Sequence, residues 1–232
     1  MIPLYDENPV KDNSYVRMII LIICLTVFLY QQGSNNNQFL IYYFGFKPAS
    51  LFSEIDFPTF TPVLTLFTSM FMHSGWMHFL GNMLYLWIFA DNVEDKMGKK
   101  KFIFFYTLCG LIAAISQAAI NIESQIPMIG ASGAIAGVLG SYMYFYPKAK
   151  ILVLIPFLIF FTIRVPAYIL LLIWFFLQFY NFAINGMDSS VAWLAHIGGF
   201  VTGYLYCRIN YSKVKFLKGK SKLLIKKKGP WG

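Results

Sequence analysis

Residues Val165–Phe182 read VPAYILLLIWFFLQFYNF, eighteen residues without one charged side chain. An α-helix rises 1.5 Å per residue and the hydrocarbon core of a bilayer is about 30 Å thick, so roughly 20 such residues suffice to cross it. The composition of the whole chain agrees with a membrane reading of this stretch. Hydrophobic residues make up 58% and charged residues 12% of the 232 residues, and the mean hydropathy is +0.59. Soluble domains hold about 45–50% apolar and about 25% charged residues. So few polar side chains could not cover a soluble surface, and so many apolar ones exclude intrinsic disorder. What remains is a polytopic membrane protein.

Working outward, the same test gives six spans: Tyr15–Tyr30, Trp76–Phe89, Phe102–Ile120, Gly130–Tyr146, Val165–Phe182 and Trp193–Tyr211. Two more apolar stretches, Phe60–Met72 and Ile151–Phe161, are short and carry Pro62 and Pro156, so they read as interfacial or re-entrant segments. The first span follows an acidic, polar start with no small-residue cleavage site after it, unlike a removable signal. The expected fold is therefore an all-α bundle of six transmembrane helices. It comprises a short segment 1–14, a membrane domain 15–211 with a long outer loop 31–73, and a basic tail 212–232. With the N-terminus inside, 18 of the 19 lysines and arginines fall on the inner side and only Lys47 lies outside. That asymmetry obeys the positive-inside rule and places both termini in the cytoplasm.

The net charge of +9 does not point to nucleic acid, because nine of the 19 basic residues lie from Arg208 onward, beside a span. Such a tail is expected at the anionic inner leaflet. The outer loop mixes a polar run, Gln31 to Gln38, with Tyr42, Tyr43, Phe44 and Phe46, an amphipathic character that suits the outer headgroup region. Cys24, Cys109 and Cys207 sit in apolar runs, without disulfide or metal spacing.

Ionisable and polar groups inside a membrane are functional candidates. In this topology spans two, four and six all descend from the outer face. His78 and Asn82, Ser132, and His196 each lie a few residues into one of them, at a shared depth of about 5–10 Å. Span four carries Gly133 and Gly137, and span six Gly199 and Gly203. Both are G-x-x-x-G spacings, which let helix backbones approach closely. The smooth faces that would dock lie beside the serine and the histidine, and a Ser–His pair within hydrogen-bond reach is how a hydroxyl becomes a nucleophile. An acyl-transfer site also needs donors for an oxyanion. His78 and Asn82 are spaced i, i+4 and project from one helix face. The backbone N–H of Ser132, in a first helical turn, is a third donor without an intrahelical acceptor. No acidic residue lies near His196 within the apolar runs, so a dyad is expected. Taken singly, Ser132 reads as a serine capping its own helix, His196 as a packing histidine, and His73 as an anchor for the outer loop. Their joint occurrence at one depth favours chemistry.

These residues resemble a known family. Gly130-Ala131-Ser132-Gly133 is similar to the G-x-S-G motif of rhomboid intramembrane serine proteases. His73, His78 and Asn82 resemble that family's H-x-x-x-x-H-x-x-x-N, and Ala195-His196-Ile197-Gly198-Gly199 with Gly203 resembles its A-H-x-x-G-x-x-x-G. Glu94 and Gly98 resemble an acidic and a glycine position of the family after span two. The resemblance runs from about Thr61 to Gly203. It implies a six-helix core with an outward-opening water-filled cavity, Ser132 as nucleophile and His196 as general base. His78, Asn82 and the Ser132 amide would form the oxyanion hole. It also implies single-span membrane proteins as substrates, no metal or nucleotide cofactor, a gate formed by Trp174, Phe175 and Phe176 of span five, and a cap at Asn185–Val191. The cell membrane is the expected location. Two features differ from the family pattern. Ala136 stands where relatives often carry an aromatic residue against the catalytic imidazole, and the Trp-Arg pair of many first outer loops is missing.

Other classes fit less well. A zinc protease would need a spacing such as H-E-x-x-H, whereas His73 and His78 are i, i+5 with no glutamate between them. A transporter would place its polar groups at mid-bilayer on broken helices. The remaining alternative is a catalytically silent rhomboid-like protein that binds and routes membrane clients. Such proteins usually lack the serine or the histidine, and both are present here.

Overall fold

The apolar runs become helices, and polar or glycine-containing segments end them. The computed structural model describes residues 1–11, 13–52, 60–155, 161–186, 189 and 191–226, with the backbone alone from residue 213 onward. Helix α1 (Tyr15–Gly33) is followed by three short helices in the expected outer loop, α2 (Asn37–Phe44), α3 (Pro48–Phe52) and α4 (Pro62–Thr68), and a 3-10 turn at Ser69–Phe71. Then come the long helices α5 (Trp76–Met97) and α6 (Lys99–Ala118), the shorter α7 (Ser132–Phe145), and the long α8 (Ala167–Asn185) and α9 (Trp193–Lys226). Helices α1, α6 and α8 are long and apolar enough to cross a membrane. Helix α5 ends in the charged run Asp91, Glu94, Asp95 and Lys96, and α7 is only 14 residues long. Helix α7 is the centre of the bundle: it packs against α5, α6, α8 and α9, and every residue from Gly133 to Tyr142 is buried. A helix enclosed by protein has no need of a long lipid-facing surface.

Helices α7 and α9 meet backbone to backbone. A methyl group at Gly199 would lie 2.1 Å from the carbonyl oxygen of Gly133, and one at Gly203 would lie 1.9 Å from that of Gly137. Farther along, a methyl group at Gly140 would lie 2.0 Å from the carbonyl oxygen of Phe200. Gly133 and Gly137 also admit α6, whose Ala113 and Cys109 side chains fill the space next to them. Cys24, Cys109 and Cys207 are all buried free thiols.

The all-α expectation needs one correction. Strands β1 (Ile2–Asp6), β2 (Lys150–Leu154) and β3 (Thr162–Pro166) form an antiparallel sheet in the order β1-β2-β3. Ile2 faces Leu154 and Asp6 faces Ile151 across the first pair, and Lys150 faces Pro166 across the second. The segment starting at Ile151, expected to be interfacial or re-entrant, is thus a strand as far as Leu154, and residues 156–160 of it lie outside the described residues. Its β-branched, alternating residues suit a half-buried strand. Ile151 and Val153 point inward while Lys150 is exposed. Arg164 and Val165 belong to β3, so α8 starts only after Pro166, whose φ of −58° suits a helix entry. The segment Phe60–Met72 is short, as expected, and helical. Helix α9 continues past the expected end at Tyr211 to Lys226, and residues 227–232 of the basic tail lie outside the described residues.

One end of the bundle is fastened by polar contacts. Glu94 of α5 is buried and accepts the N–H groups of Val16 and Arg17 at 3.0 and 2.8 Å, capping α1 from a different helix. That satisfies first-turn donors that have no partner in their own helix. Arg17 pairs with Asp91 at 3.1 Å and lies over the Trp87 ring. Gly98, at φ +81°, turns the chain from α5 into α6, a conformation that glycine adopts without the Cβ penalty. Strand β1 is anchored by Asp6, whose Oδ2 accepts Tyr142 O–H at 2.7 Å and Asn92 Nδ2–H at 2.9 Å. Lys47, the one basic residue assigned to the outer side, is fully buried, with its ammonium over the Tyr42 ring.

Burial, the largest influence, pushes the Asp6 carboxyl from an ordinary 3.8 up to about 6, with Tyr142 opposing the rise and Asp91 adding to it. A carboxyl raised on folding stabilises the fold below its unfolded pKa, and that contribution is lost as pH rises through the folded value. Asp6→Asn keeps an oxygen for Tyr142 and Asn92 but removes the charge. Its advantage over wild type should grow by about 1–3 kcal/mol between about pH 4 and pH 7, read from unfolding midpoints in detergent. A pH-independent difference would remove this role for Asp6. Gly203→Ala should cost about 2 kcal/mol or more through overpacking. Gly33→Ala, where nothing lies within 4 Å, should be neutral to within about 0.5 kcal/mol.

Candidate active site

Two helix starts at the end of the bundle opposite the sheet bring the polar residues together. Ser132 is the first residue of α7, and the residue before it, Ala131, makes no side-chain cap. The Ser132 hydroxyl does not cap its own helix. It lies 2.9 Å from Nε2 of His196, four residues into α9. The start of α9 is held by Gln117 of α6, whose Oε1 accepts the Leu194 N–H at 3.0 Å. The other ring nitrogen of His196, Nδ1, lies 2.9 Å from Gln178 Oε1 on α8, and the Gln178 amide donates to the Trp174 carbonyl at 2.8 Å. The Trp174 and Trp193 rings lie 5.9 and 6.0 Å from the imidazole, centroid to centroid. Gln178 and the two tryptophans hold the ring that Ala136 leaves without an aromatic neighbour at that position. Gln117 and Gln178 did not emerge from the sequence, because an isolated glutamine in an apolar helix has no motif. Its one visible signal is being a polar residue in an otherwise uncharged span.

His78 and Asn82 project from α5 into the same space. Ser74 sits one turn before His78, and its backbone N–H and hydroxyl lie 3.4 and 3.1 Å from His78 Nδ1. A backbone N–H can only donate, so Nδ1 accepts and the ring proton sits on Nε2. That nitrogen faces Gly130, where a methyl group would lie 2.7 Å from it and 3.5 Å from Ser132 Oγ. Gly130, at φ +125°, therefore leaves an atom-sized space between an N–H donor and the serine hydroxyl. Asn82 is buried, and its Nδ2 has no hydrogen-bond partner among the described residues. A donor without a protein partner at the wall of a cavity is available to an acceptor bound there.

His73 lies behind these groups. It is fully buried against Phe28, Phe79 and the His78 ring, and Gln31 of α1 clasps its backbone from both sides. Burial, with His78 beside it, pushes its imidazole down to about 3, so it is neutral at physiological pH and packs as a ring behind His78. Ser132, His196, His78, Asn82 and Trp174 all line one cavity of about 740 Å³. Phe175 turns away from it and stacks on Phe200 of α9, 4.6 Å between centroids, while Phe176 is exposed. Of the expected cap at Asn185–Val191, residues 187, 188 and 190 lie outside the described residues. Ser189 Oγ accepts from the Val191 N–H and from Trp193 Nε1–H.

Comparison with known proteins covers the region that holds these residues. The model of the Rhomboid domain matches residues 61–213. The chain is 28% identical over 203 residues to rhomboid protease GluP of Bacillus subtilis, covering 85% of this chain and 36% of the relative. It is 28% identical to the mitochondrial rhomboid protein 1 of Saccharomyces cerevisiae over 63% of this chain and 41% of the relative. It is 31% identical to the mitochondrial presenilin-associated rhomboid-like protein A of Danio rerio over 51% of this chain and 30% of the relative. The chain thus spans less than half the length of each of these relatives. A family model that covers most of the chain identifies the chain as a member of the rhomboid family of polytopic integral membrane proteins.

Proposed function

We propose that the chain is an intramembrane serine endopeptidase that hydrolyses peptide bonds in or near the transmembrane segments of single-span membrane proteins. The observation that carries this reading is the 2.9 Å contact between Ser132 Oγ and His196 Nε2 at the wall of an open cavity. A serine hydroxyl is a poor nucleophile at neutral pH, and a neutral imidazole in contact with it can accept its proton as attack proceeds. Ser132 Oγ attacks the scissile carbonyl carbon, and the hydroxyl proton passes to His196 Nε2. The carbonyl oxygen becomes an oxyanion received by His78 Nε2–H, Asn82 Nδ2–H and the backbone N–H of Ser132. The C–N bond then breaks, and the leaving amine takes the proton from His196. Water attacks the resulting ester with His196 again accepting a proton, and Ser132 regains its hydrogen when the acid leaves.

The positions of the donors support this sequence of steps. The unpaired Asn82 amide and the space beside Gly130 need an acceptor, and a developing oxyanion supplies one where water-excluded donors are most effective. In this reading residues 15–211 form the six-span domain, with both termini and the basic tail inside and Trp174 at the lateral entry. The end of the bundle that gathers the sheet, Arg17, Lys96 and Lys150 faces the anionic inner leaflet, and the cavity opens outward. The cell membrane is the proposed location.

Labelling of the detergent-solubilised protein with a fluorophosphonate should occur in wild type and be lost in both Ser132→Ala and His196→Ala. A folded wild type whose cavity admits the reagent without being labelled would favour a silent member that binds and routes membrane clients. Asn82→Ala should lower kcat by about 10²–10³ in cleavage of a transmembrane substrate. Unchanged turnover in that variant would exclude Asn82 from the oxyanion hole.

A further inference from the structure

A neutral imidazole carries one proton on two nitrogens, and the dyad works in only one of the two arrangements. Nε2 must hold a lone pair toward Ser132, so the proton must stay on Nδ1. We infer that Gln178, on α8, is a positioning residue that sets this tautomer by accepting a hydrogen bond from Nδ1 of His196, with proton transfer confined to Ser132 and His196. The inference rests on the proteolytic reading for its consequence in turnover.

The assignment follows from a chain of forced hydrogen-bond roles. The Trp174 carbonyl can only accept, and it lies 2.8 Å from Gln178 Nε2. The amide NH₂ therefore faces Trp174, one helical turn back, and the amide oxygen faces the imidazole. Oε1 can only accept, and it lies 2.9 Å from His196 Nδ1, so Nδ1 donates. Nε2 is then the acceptor for the Ser132 hydroxyl at 2.9 Å. Turning the Gln178 amide over would set its oxygen against the Trp174 carbonyl oxygen and, by protonating Nε2, oppose proton transfer from Ser132. Gln178 is itself buried, at 5% exposure, at the wall of the same cavity as Ser132 and His196.

The choice of an amide is physically sensible here. A carboxylate at this position would orient the ring equally well, but it would place an uncompensated charge among apolar helices. Glutamine supplies the acceptor without the charge. The imidazole is also flanked by the Trp174 and Trp193 rings, which limit its tilt, while Gln178 decides which nitrogen is protonated. The tryptophans restrain the plane and the glutamine restrains the proton.

The test uses the full chain in detergent micelles with ¹⁵N-labelled histidine. The His196 signals are identified by their loss in His196→Ala. Wild type should show His196 protonated at Nδ1, and Gln178→Leu should show a mixture of the two tautomers. Against a transmembrane substrate, Gln178→Leu should lower kcat by about 10- to 30-fold, the loss of one buried hydrogen bond, with KM nearly unchanged. Gln178→Glu keeps an acceptor and should recover most of that loss. An Nε2-protonated His196 in wild type overturns the assignment without any variant. So does a folded Gln178→Leu that keeps both its tautomer and its kcat, or one that loses activity with the tautomer unchanged. If Gln178→Leu does not fold, Gln178→Met supplies the same comparison at similar volume. A wild type that neither labels nor cleaves defeats the proteolytic reading, and the tautomer spectra still decide what Gln178 does.

Discussion

Contact between the backbones of α7 and α9 is the constraint from which the rest of the structure follows. Carbonyl oxygens of Gly133 and Gly137 stand where side chains at Gly199 and Gly203 would be, so the two helices approach as closely as peptide groups allow. Ser132 precedes the first of these contacts on one helix, and His196 lies one turn before it on the other. The 2.9 Å Ser132–His196 distance is thus a consequence of backbone packing. Small residues give van der Waals contact and lose little side-chain entropy, a suitable means of joining helices where lipid offers no hydrophobic drive.

Around that contact the polar groups divide by what satisfies them. Glu94, Asp6 and Arg17 are matched with donors and acceptors at the end that carries the sheet, and they tie α1 and β1 to the bundle. At the other end the matching is incomplete: Asn82 Nδ2 has no partner among the described residues, and Gly130 leaves a space beside His78 Nε2. Satisfied polar contacts are concentrated at one end and unused hydrogen-bonding capacity at the other. That division is what a site needs if its strongest interactions are to form with a transient oxyanion and not with itself. Histidine in such a place is useful because it is neutral. His73, buried as a ring behind His78, fixes the position of a donor without adding a charge.

The long helices were legible in the sequence because a bilayer demands a minimum apolar length and because glycine and charged residues end the runs. Val165–Phe182 is a clear case, although its helix begins two residues later, at Ala167, since Arg164 and Val165 pair with β2. The sheet was not legible. Lys150–Leu154 is short and apolar, and its partner β1 lies near residue 2, a separation no local pattern reports. Ser132 and His196, which meet at 2.9 Å, His78 and Asn82, which line the same cavity, and the packing glycines could be read as well, because each belongs to or adjoins a spacing with a physical meaning: i, i+4 on one face, or small residues every fourth position.

Sequence alone determined the class of the molecule, the places where its helices lie and the residues able to do chemistry, since hydropathy, helical period and side-chain type are local properties. Tertiary structure decided which of those residues meet and in what protonation geometry. Ala136 left the orientation of His196 open, and the answer came from Gln178 and Trp174 on α8 and from Trp193 next to the histidine. No residue near Gln178 in the chain marks it as special. It becomes so because α8 packs beside α9 with its amide turned by the Trp174 carbonyl, and the direction of a hydrogen bond between two helices is set by their packing, which a linear pattern does not encode.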